Sequence, residues 1–463
     1  MSELFKPGGP KVFSIPAGAN FLGELTATLA RDTGLKNDPE ALADALIYVP
    51  NRRSERALAF ALHQAAGGKA CLLPNIRALG DLETDEPPPS AEAALADLPP
   101  VISPAARIGD LTRLVMQYFA ALETHLPAVS CLAAARELAT LLDQADLSGD
   151  VDWNALESLV PDVQLAQHWQ QSVRFLQIIT DQWPAHLEDA TKMDPYARRY
   201  AAAEAMAAHW SKCPPDTPVI IAGSTGATPA SRLLMQAVMQ LPRGAIILPG
   251  LDTDLDASTL DQVEAAPSHP QFTLARTLSA LELSLDQIRP WPGLHQVPAQ
   301  TARRRLIHQA LAPAQNTADW TANLAQISAD KDAAGFVRQA LQGLTVLDAA
   351  DDNEEALLAA ILMREMLEKP DQTAALVTPD AGLARHVSAL LQRWQVDVAP
   401  SAGMPLSQTI SGSLALLTAE WMLDPSHPVA LMAVLQHPSS RFEDATVKTL
   451  DKHFLRGPRT WQS

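Results

Sequence analysis

Three arginines fall within five residues in Asn51-Arg52-Arg53-Ser54-Glu55-Arg56, directly after the apolar run ALIYVP. A guanidinium is planar and always charged, and it grips phosphate oxygens in pairs, so this cluster suits phosphate contacts. Cations at a helix start oppose the macrodipole, which favours a bound anion. Without one, the same residues read as a solvated first helical turn. A second stretch, Pro16-Ala17-Gly18-Ala19-Asn20, closes the run KVFSIP. A phosphate loop at this place needs several glycines, a lysine for the β/γ-phosphates and a Ser/Thr for magnesium. Only Gly18 is present. The turn therefore reads as a degenerate phosphate loop: an ordinary strand-to-helix turn, or an anion site built from helix amides alone. A third stretch, Gly223-Ser224-Thr225-Gly226, follows PVIIA. It lacks the Gly-x-Ser-x-Gly spacing of a nucleophile elbow and has no identifiable base, so it is either a polar loop that touches a ligand or phosphate, or a plain turn.

Other candidates carry less. Asp252-Thr253-Asp254-Leu255-Asp256 resembles a calcium loop, but Ala257 and Val263 stand where the sixth-position Gly and twelfth-position Glu belong. It reads as a solvated acidic loop. Arg303-Arg304-Arg305 reads as a solvated helix face rather than a DNA arm. The 12 histidines form no HExxH or HxH pattern. Cys71, Cys131 and Cys213 are too far apart for a zinc or iron–sulfur site, and their odd number argues against a disulfide framework. A reducing cytoplasmic location is expected.

The elements that must position these residues are short and well punctuated, with 36 prolines in 463 residues. Apolar runs at 11–16, 45–50, 218–222 and 245–248 alternate with amphipathic stretches such as FLGELTATLARDTG, where Gly34 suits a C-cap. A further strand opens at Cys71-Leu72-Leu73-Pro74 and leads to IRALGD. Strands alternating with helices predict a parallel α/β sheet. Residues 81–100 form an acidic, proline-rich crossing, and nearly everything from 102 to 210 has helical period. Residues 251–343 are polar and mainly helical. A second α/β pattern starts at Gly343 with LTVLDA, NEEALLAAILMREMLEK, TAALVTP, ARHVSALLQRWQ and VDVA.

Asp plus Glu (53) exceeds Lys plus Arg (35), a net charge of −18. Such a surface disfavours a sequence-blind wrap around nucleic acid but allows a local basic groove. Hydrophobic residues at 47% indicate globular composition, and no apolar run approaches the roughly 18 residues a membrane helix needs.

In order along nearly the whole chain, KVFSIPAGANFLGEL, ALIYVPNRRSERAL, LLPNIRALGD, PVIIAGSTGATPASRLLMQAV, GAIILPGLDTDLD, PSHPQFTLARTL and TAALVTPDAGLARHVSALLQRW resemble the AddB subunit of the bacterial AddAB helicase–nuclease, in its alphaproteobacterial form. No single motif is diagnostic; the ordered set is specific. The resemblance implies a superfamily 1 helicase-like parallel α/β domain (1–100 and 215–255) with an all-helical insertion (101–214). A helical connecting region (256–342) and an incomplete second α/β domain (343–463) follow. It implies a subunit that processes DNA double-strand breaks for recombinational repair, partnered by an AddA-type helicase–nuclease subunit and by DNA ends or single-stranded DNA, with no membrane.

Members of that family run to roughly twice this length, and their C-terminal half carries the magnesium carboxylates and four cysteines of an iron–sulfur nuclease. Those features are absent here, so no cofactor is expected in this chain, and a truncated or partial product is expected. A chain ending inside an α/β unit leaves unpaired strand edges, which predicts a tendency to aggregate. The expected role is a DNA-contacting scaffold without catalysis. Arg52, Arg53 and Arg56 are the foremost phosphate contacts, with Arg77, Ser224 and Thr225 behind them. An active DNA-stimulated ATPase with a non-standard phosphate loop, or a purely structural AddA-binding remnant, are the alternatives.

Overall fold

The computed structural model describes residues 11–82, 88, 91–149, 151–153, 155, 169, 172–295, 297–314, 333–370, 372–401 and 403–456. Parts of the expected 81–100 crossing and of the QLAQHWQQSVRF helix lie outside these. Two compact units result, Met1–Gly343 and Leu344–Ser463.

The first unit is built on six parallel strands: β1 (Val12–Ile15), β2 (Leu46–Val49), β3 (Asn75–Ala78), β4 (Val219–Ala222), β5 (Gly244–Pro249) and β6 (Arg289–Pro290), in the order β3-β2-β4-β5-β1-β6. Three of these, β2, β4 and β5, are runs of apolar residues, and β1 is one broken only by Ser14, as a strand buried on both faces requires. Their side chains alternate between two cores. Phe13, Ile15, Ile47, Val49, Ile220, Ala222, Ala245 and Ile247 share one, and Val12, Leu46, Tyr48, Val219, Ile221, Ile246 and Leu248 share the other.

Among the described residues the α-helices of this unit are, in chain order, α1 (Phe21–Thr33), α2 (Arg52–Ala65), the short α3 (Glu92–Leu95), α4 (Pro104–Ala121), α5 (Ala128–Ser148), α6 (Trp183–Asp189), α7 (Pro195–Lys212), α8 (Pro229–Gln240), α9 (Ala257–Glu264), α10 (Phe272–Ala280), α11 (Pro298–Ala310) and α12 (Ala333–Ala340). Leu25 and Leu29 of α1 and Leu58 and Leu62 of α2 cover the first face. Met206 and Trp210 of α7, Leu234 and Val238 of α8, and Leu274 and Leu278 of α10 cover the second. Gly34 ends α1 at φ 76°, and its N–H reaches the Ala30 carbonyl.

Two local expectations change. The third strand begins at Asn75 instead of Cys71: Pro74 has no N–H to give, and Leu72 and Leu73 are exposed. Within the region expected to be mainly helical, β6 pairs Phe13 with Arg289 and Ser14 with Pro290. A two-residue Arg-Pro edge carries no alternating pattern, and proline is tolerated there because an edge strand pairs on one side only.

The helices α4 to α6 enclose a separate core of Leu111, Val115, Cys131, Leu138, Ile178 and Trp183. A buried polar hub ties this insertion to α7. Arg107 Nε donates to Asp194 Oδ2 at 2.8 Å, Arg107 Nη2 lies 2.9 Å from Asp143 Oδ1, and Trp183 Nε1 donates to the same Asp194 oxygen at 3.1 Å. Asp194 occupies the N-cap of α7 but spends its carboxylate on Arg107 and Trp183 and makes no cap hydrogen bond. Arg107 shares the buried stripe of α4 with Leu111 and Val115. A charge on an apolar stripe is the sequence signal for this hub.

In the second unit, α13 (Asp352–Met366) and α14 (Ala381–Arg393) pack through Ala356, Ala360, Val387 and Leu391. Then come α15 (Ile410–Leu423), α16 (Pro428–Leu435) and α17 (Asp444–Leu450). The strands expected at LTVLDA, TAALVTP and VDVA do not form among the described residues. Leu376, Val396 and Val398 still lean on the α13–α14 core, while Val346 and Val377 are exposed. The apolar pattern is that of strands, but a ladder needs a neighbouring chain to accept its N–H groups, and none of these segments has one.

Removing the Asp194 carboxylate leaves Arg107 buried beside Asp143 alone. Asp194→Ala is expected to cost about 3–5 kcal/mol, read as an earlier urea midpoint, with hydrogen exchange accelerating first in α4 and α7. Burial, reinforced by the Asp194 charge, pushes the Asp146 carboxyl up to about 6 against the pull of Arg107. Its ionised form is therefore disfavoured by folding. Asp146→Asn should stabilise the protein above pH 6, and the gain should fade as pH falls toward the ordinary 3.8. Urea midpoints of parent and variant across that range check the sign.

Candidate functional site at the carboxyl edge of the sheet

Parallel pairing brings the carboxyl ends of β1, β2, β4 and β5 onto one edge, where open α/β sheets bind ligands. Gly223, just after β4, has φ 79°. A Cβ there would sit 3.3 Å from Phe21 and 3.7 Å from Pro50, so the turns after β4 and β2 and the start of α1 meet at this glycine. A cavity of about 240 Å³ opens beside it, lined by Phe21, Leu25, Pro50, Arg53, Ala57 and Pro249, among others.

The Pro16–Asn20 turn is closed on itself. The Ala19 N–H bonds the Pro16 carbonyl, Gly18 takes φ 84°, and Asn20 Oδ1 accepts the Gly23 N–H at 3.1 Å. A Cβ on Gly23 would collide with the Asn20 amide, so this glycine is what lets the cap approach. Asn20 thus occupies a donor of the α1 N-terminus that a phosphate would use.

Arg52, Arg53 and Arg56 lie together on the first turns of α2, all exposed. Asn51 caps that helix by accepting the Ser54 N–H at 3.0 Å. Arg52 Nε donates to Asp81 Oδ2 at 2.6 Å, from α2 to the turn after β3. That bond absorbs part of the charge the sequence presents as a uniform triplet. Arg53 lines the cavity.

Arg77 lies within β3, opposite Tyr48 in the ladder, where its Nε donates to Asn75 Oδ1 at 3.0 Å. Burial pushes the Tyr48 phenol well above its ordinary value, and the Arg77 charge opposes that only in part. Ser224 is buried, and its Oγ closes the turn by accepting the Gly226 N–H at 3.2 Å. Thr225 is half-buried, and its carbonyl accepts the Thr277 hydroxyl at 2.7 Å. Gly226, at φ 71°, leaves room for that hydroxyl. The geometry therefore gathers the three α2 arginines at the edge and sets Arg77, Ser224 and Thr225 into the framework behind them.

The acidic loop is less solvated than its composition suggests. Asp256 caps α9 by accepting the Thr259 N–H at 2.7 Å, and Asp252 Oδ2 lies 2.6 Å from His308 Nδ1 on α11. The hydrogen bond to Asp252 raises the His308 pKa, opposed by burial and aided by the Asp252, Asp254 and Asp256 charges. Arg303 likewise donates to the carbonyls of Ala340 and Gln342, tying α11 to the end of α12. No group of three or more His, Cys, Asp or Glu able to hold a metal ion occurs among the described residues.

In the second unit, Ser413 and His437 form a hydroxyl–imidazole pair at 3.0 Å. His437 Nδ1 accepts the Ser439 N–H, so the neutral ring carries its proton on Nε2 and donates to Ser413. The ring has no lone pair facing the hydroxyl and cannot serve it as a base. Among the described residues no helix is long and apolar enough to cross a membrane. No protein-family model and no curated protein matches this sequence.

The His308–Asp252 bond is strongest with the ring protonated, so its contribution is complete below the ordinary 6.5 and is lost as pH rises through the raised value. Imidazole NMR should show His308 titrating above 6.5, and Asp252→Asn should return it toward the ordinary value.

Proposed function

We propose that this chain is a helicase-like, DNA-contacting scaffold of the AddB type, working with an AddA-type helicase–nuclease partner on DNA ends and without nucleotide hydrolysis of its own. The observation that carries the reading is the pairing of three arginines at the carboxyl edge with a first-strand turn that lacks the phosphate-loop lysine and is capped by its own Asn20. The parallel α/β architecture with a helical insertion between β3 and β4 agrees with it. In a chain of net charge −18, DNA would be held by a narrow arginine track and not by a general basic surface.

Arg53, which lines the cavity, and Arg56, exposed one turn further along α2, are assigned most of the phosphate contact. Binding of a fluorescent single-stranded oligonucleotide across a salt series tests this. Arg53→Ala plus Arg56→Ala should flatten the slope of log K against log salt by about 1.4, at roughly 0.7 per phosphate contact on single strands, whereas Arg52→Ala should change it little. Binding equal to the parent at matched salt would refute the assignment, and DNA-stimulated ATP turnover by the purified chain would refute the absence of catalysis.

A further inference from the structure

A second cavity of about 240 Å³ lies on the other side of the β1 turn, enclosed by the end of β1, the loop after β5, the β6 edge and the first turns of α11. Its lining is apolar at Leu251, Ile288 and Leu294 and polar at Ser14, Thr301 and Arg304. Ser14 is 3% exposed, and its Oγ has no hydrogen-bond partner. An orphaned buried hydroxyl costs stability unless something meets it. Arg304 is half-buried and makes no ion pair or hydrogen bond among the described residues.

No carboxylate is among the described residues lining this cavity; of those nearby in sequence, Asp252 lies 2.6 Å from His308, and Glu24 meets the His295 ring at 3.3 Å and its backbone N–H at 3.4 Å. Among the described residues Arg304 is therefore a cation of the lining with no ion-pair partner. The first turn of α11, which starts at Pro298 after Val297, has no side-chain cap, so its amides add a second source of positive potential.

We propose that this cavity binds a compact organic oxyanion, a carboxylate or phosphate monoester on an apolar body. Arg304 and the α11 amides hold the anionic head, Thr301 hydrogen-bonds it, Ser14 meets a polar atom of the body, and Leu251, Ile288 and Leu294 enclose the rest. Such a ligand would lock α11 against the β1 turn without touching the arginines of α2.

Isothermal titration of the full chain with benzoate and with phenyl phosphate tests the site, with benzyl alcohol as the neutral control. Saturable binding of either anion, weakened at least tenfold by Arg304→Gln, weakened a few-fold by Ser14→Ala and unchanged by Arg305→Gln, is expected. The preferred anion identifies the head group. Binding of neither anion, equal binding of benzyl alcohol, or anion binding that Arg304→Gln leaves intact would overturn the proposal. Arg304→Lys, which keeps the charge and the helix, should retain part of the affinity, and its failure to do so while folded would also count against it. Oligonucleotide binding by Arg304→Gln should match the parent, which separates this site from the DNA-contacting edge.

Discussion

The parallel registration of β2, β4, β5 and β1 is the constraint on which the rest depends. Val219 pairs with both Leu46 and Gly244, and Ile246 pairs with both Val12 and Ile221. A slip of one residue in any of these strands would exchange the side chains of the two cores. The same pairing brings turns from residues 16, 50, 223 and 250 onto one edge. Both cavities, the three α2 arginines and the self-capped first turn are consequences of where those strands end.

Charge on this framework is distributed by pairing more than by amount. The chain carries an excess of 18 acidic charges, yet three acids near the edge are committed: Asp81 to Arg52, Asp252 to His308, Glu24 to His295. The Arg52–Asp81 and His295–Glu24 pairs, each with one exposed partner, contribute little to stability. They do decide which cations stay available. Arg52 is partly neutralised, Arg56 is exposed on α2, and Arg304 makes no ion pair among the described residues. The Arg107–Asp194 pair differs because it is buried, and there the loss of one partner is costly.

Much of the sheet was legible because a strand buried on both faces is written as an apolar run: β2, β4 and β5 are such runs, and β1 is one broken only by Ser14. Strand order was not legible, since nothing local says that β1 crosses past β5 and β4 before β2. The Arg-Pro edge of β6 has no pattern to find. The second unit shows the opposite failure: its apolar segments read as strands, yet a strand also needs a partner. At the site, the arginine triplet was plain in the sequence, whereas the partner of Arg52 lies 29 residues away and could not be read locally. Arg304 looked like one residue of a solvated basic face, and only its place on α11 against Ser14 sets it apart from Arg303 and Arg305.

The central claim is that DNA passes along the carboxyl edge of the first unit. Photo-crosslinking of iodouracil-substituted single-stranded DNA to the intact chain, followed by mass-spectrometric mapping, tests it most directly. The account predicts adducts concentrated in residues 16–22, 50–57 and 223–226. Adducts confined to other surfaces, or none under conditions where DNA is bound, would contradict it.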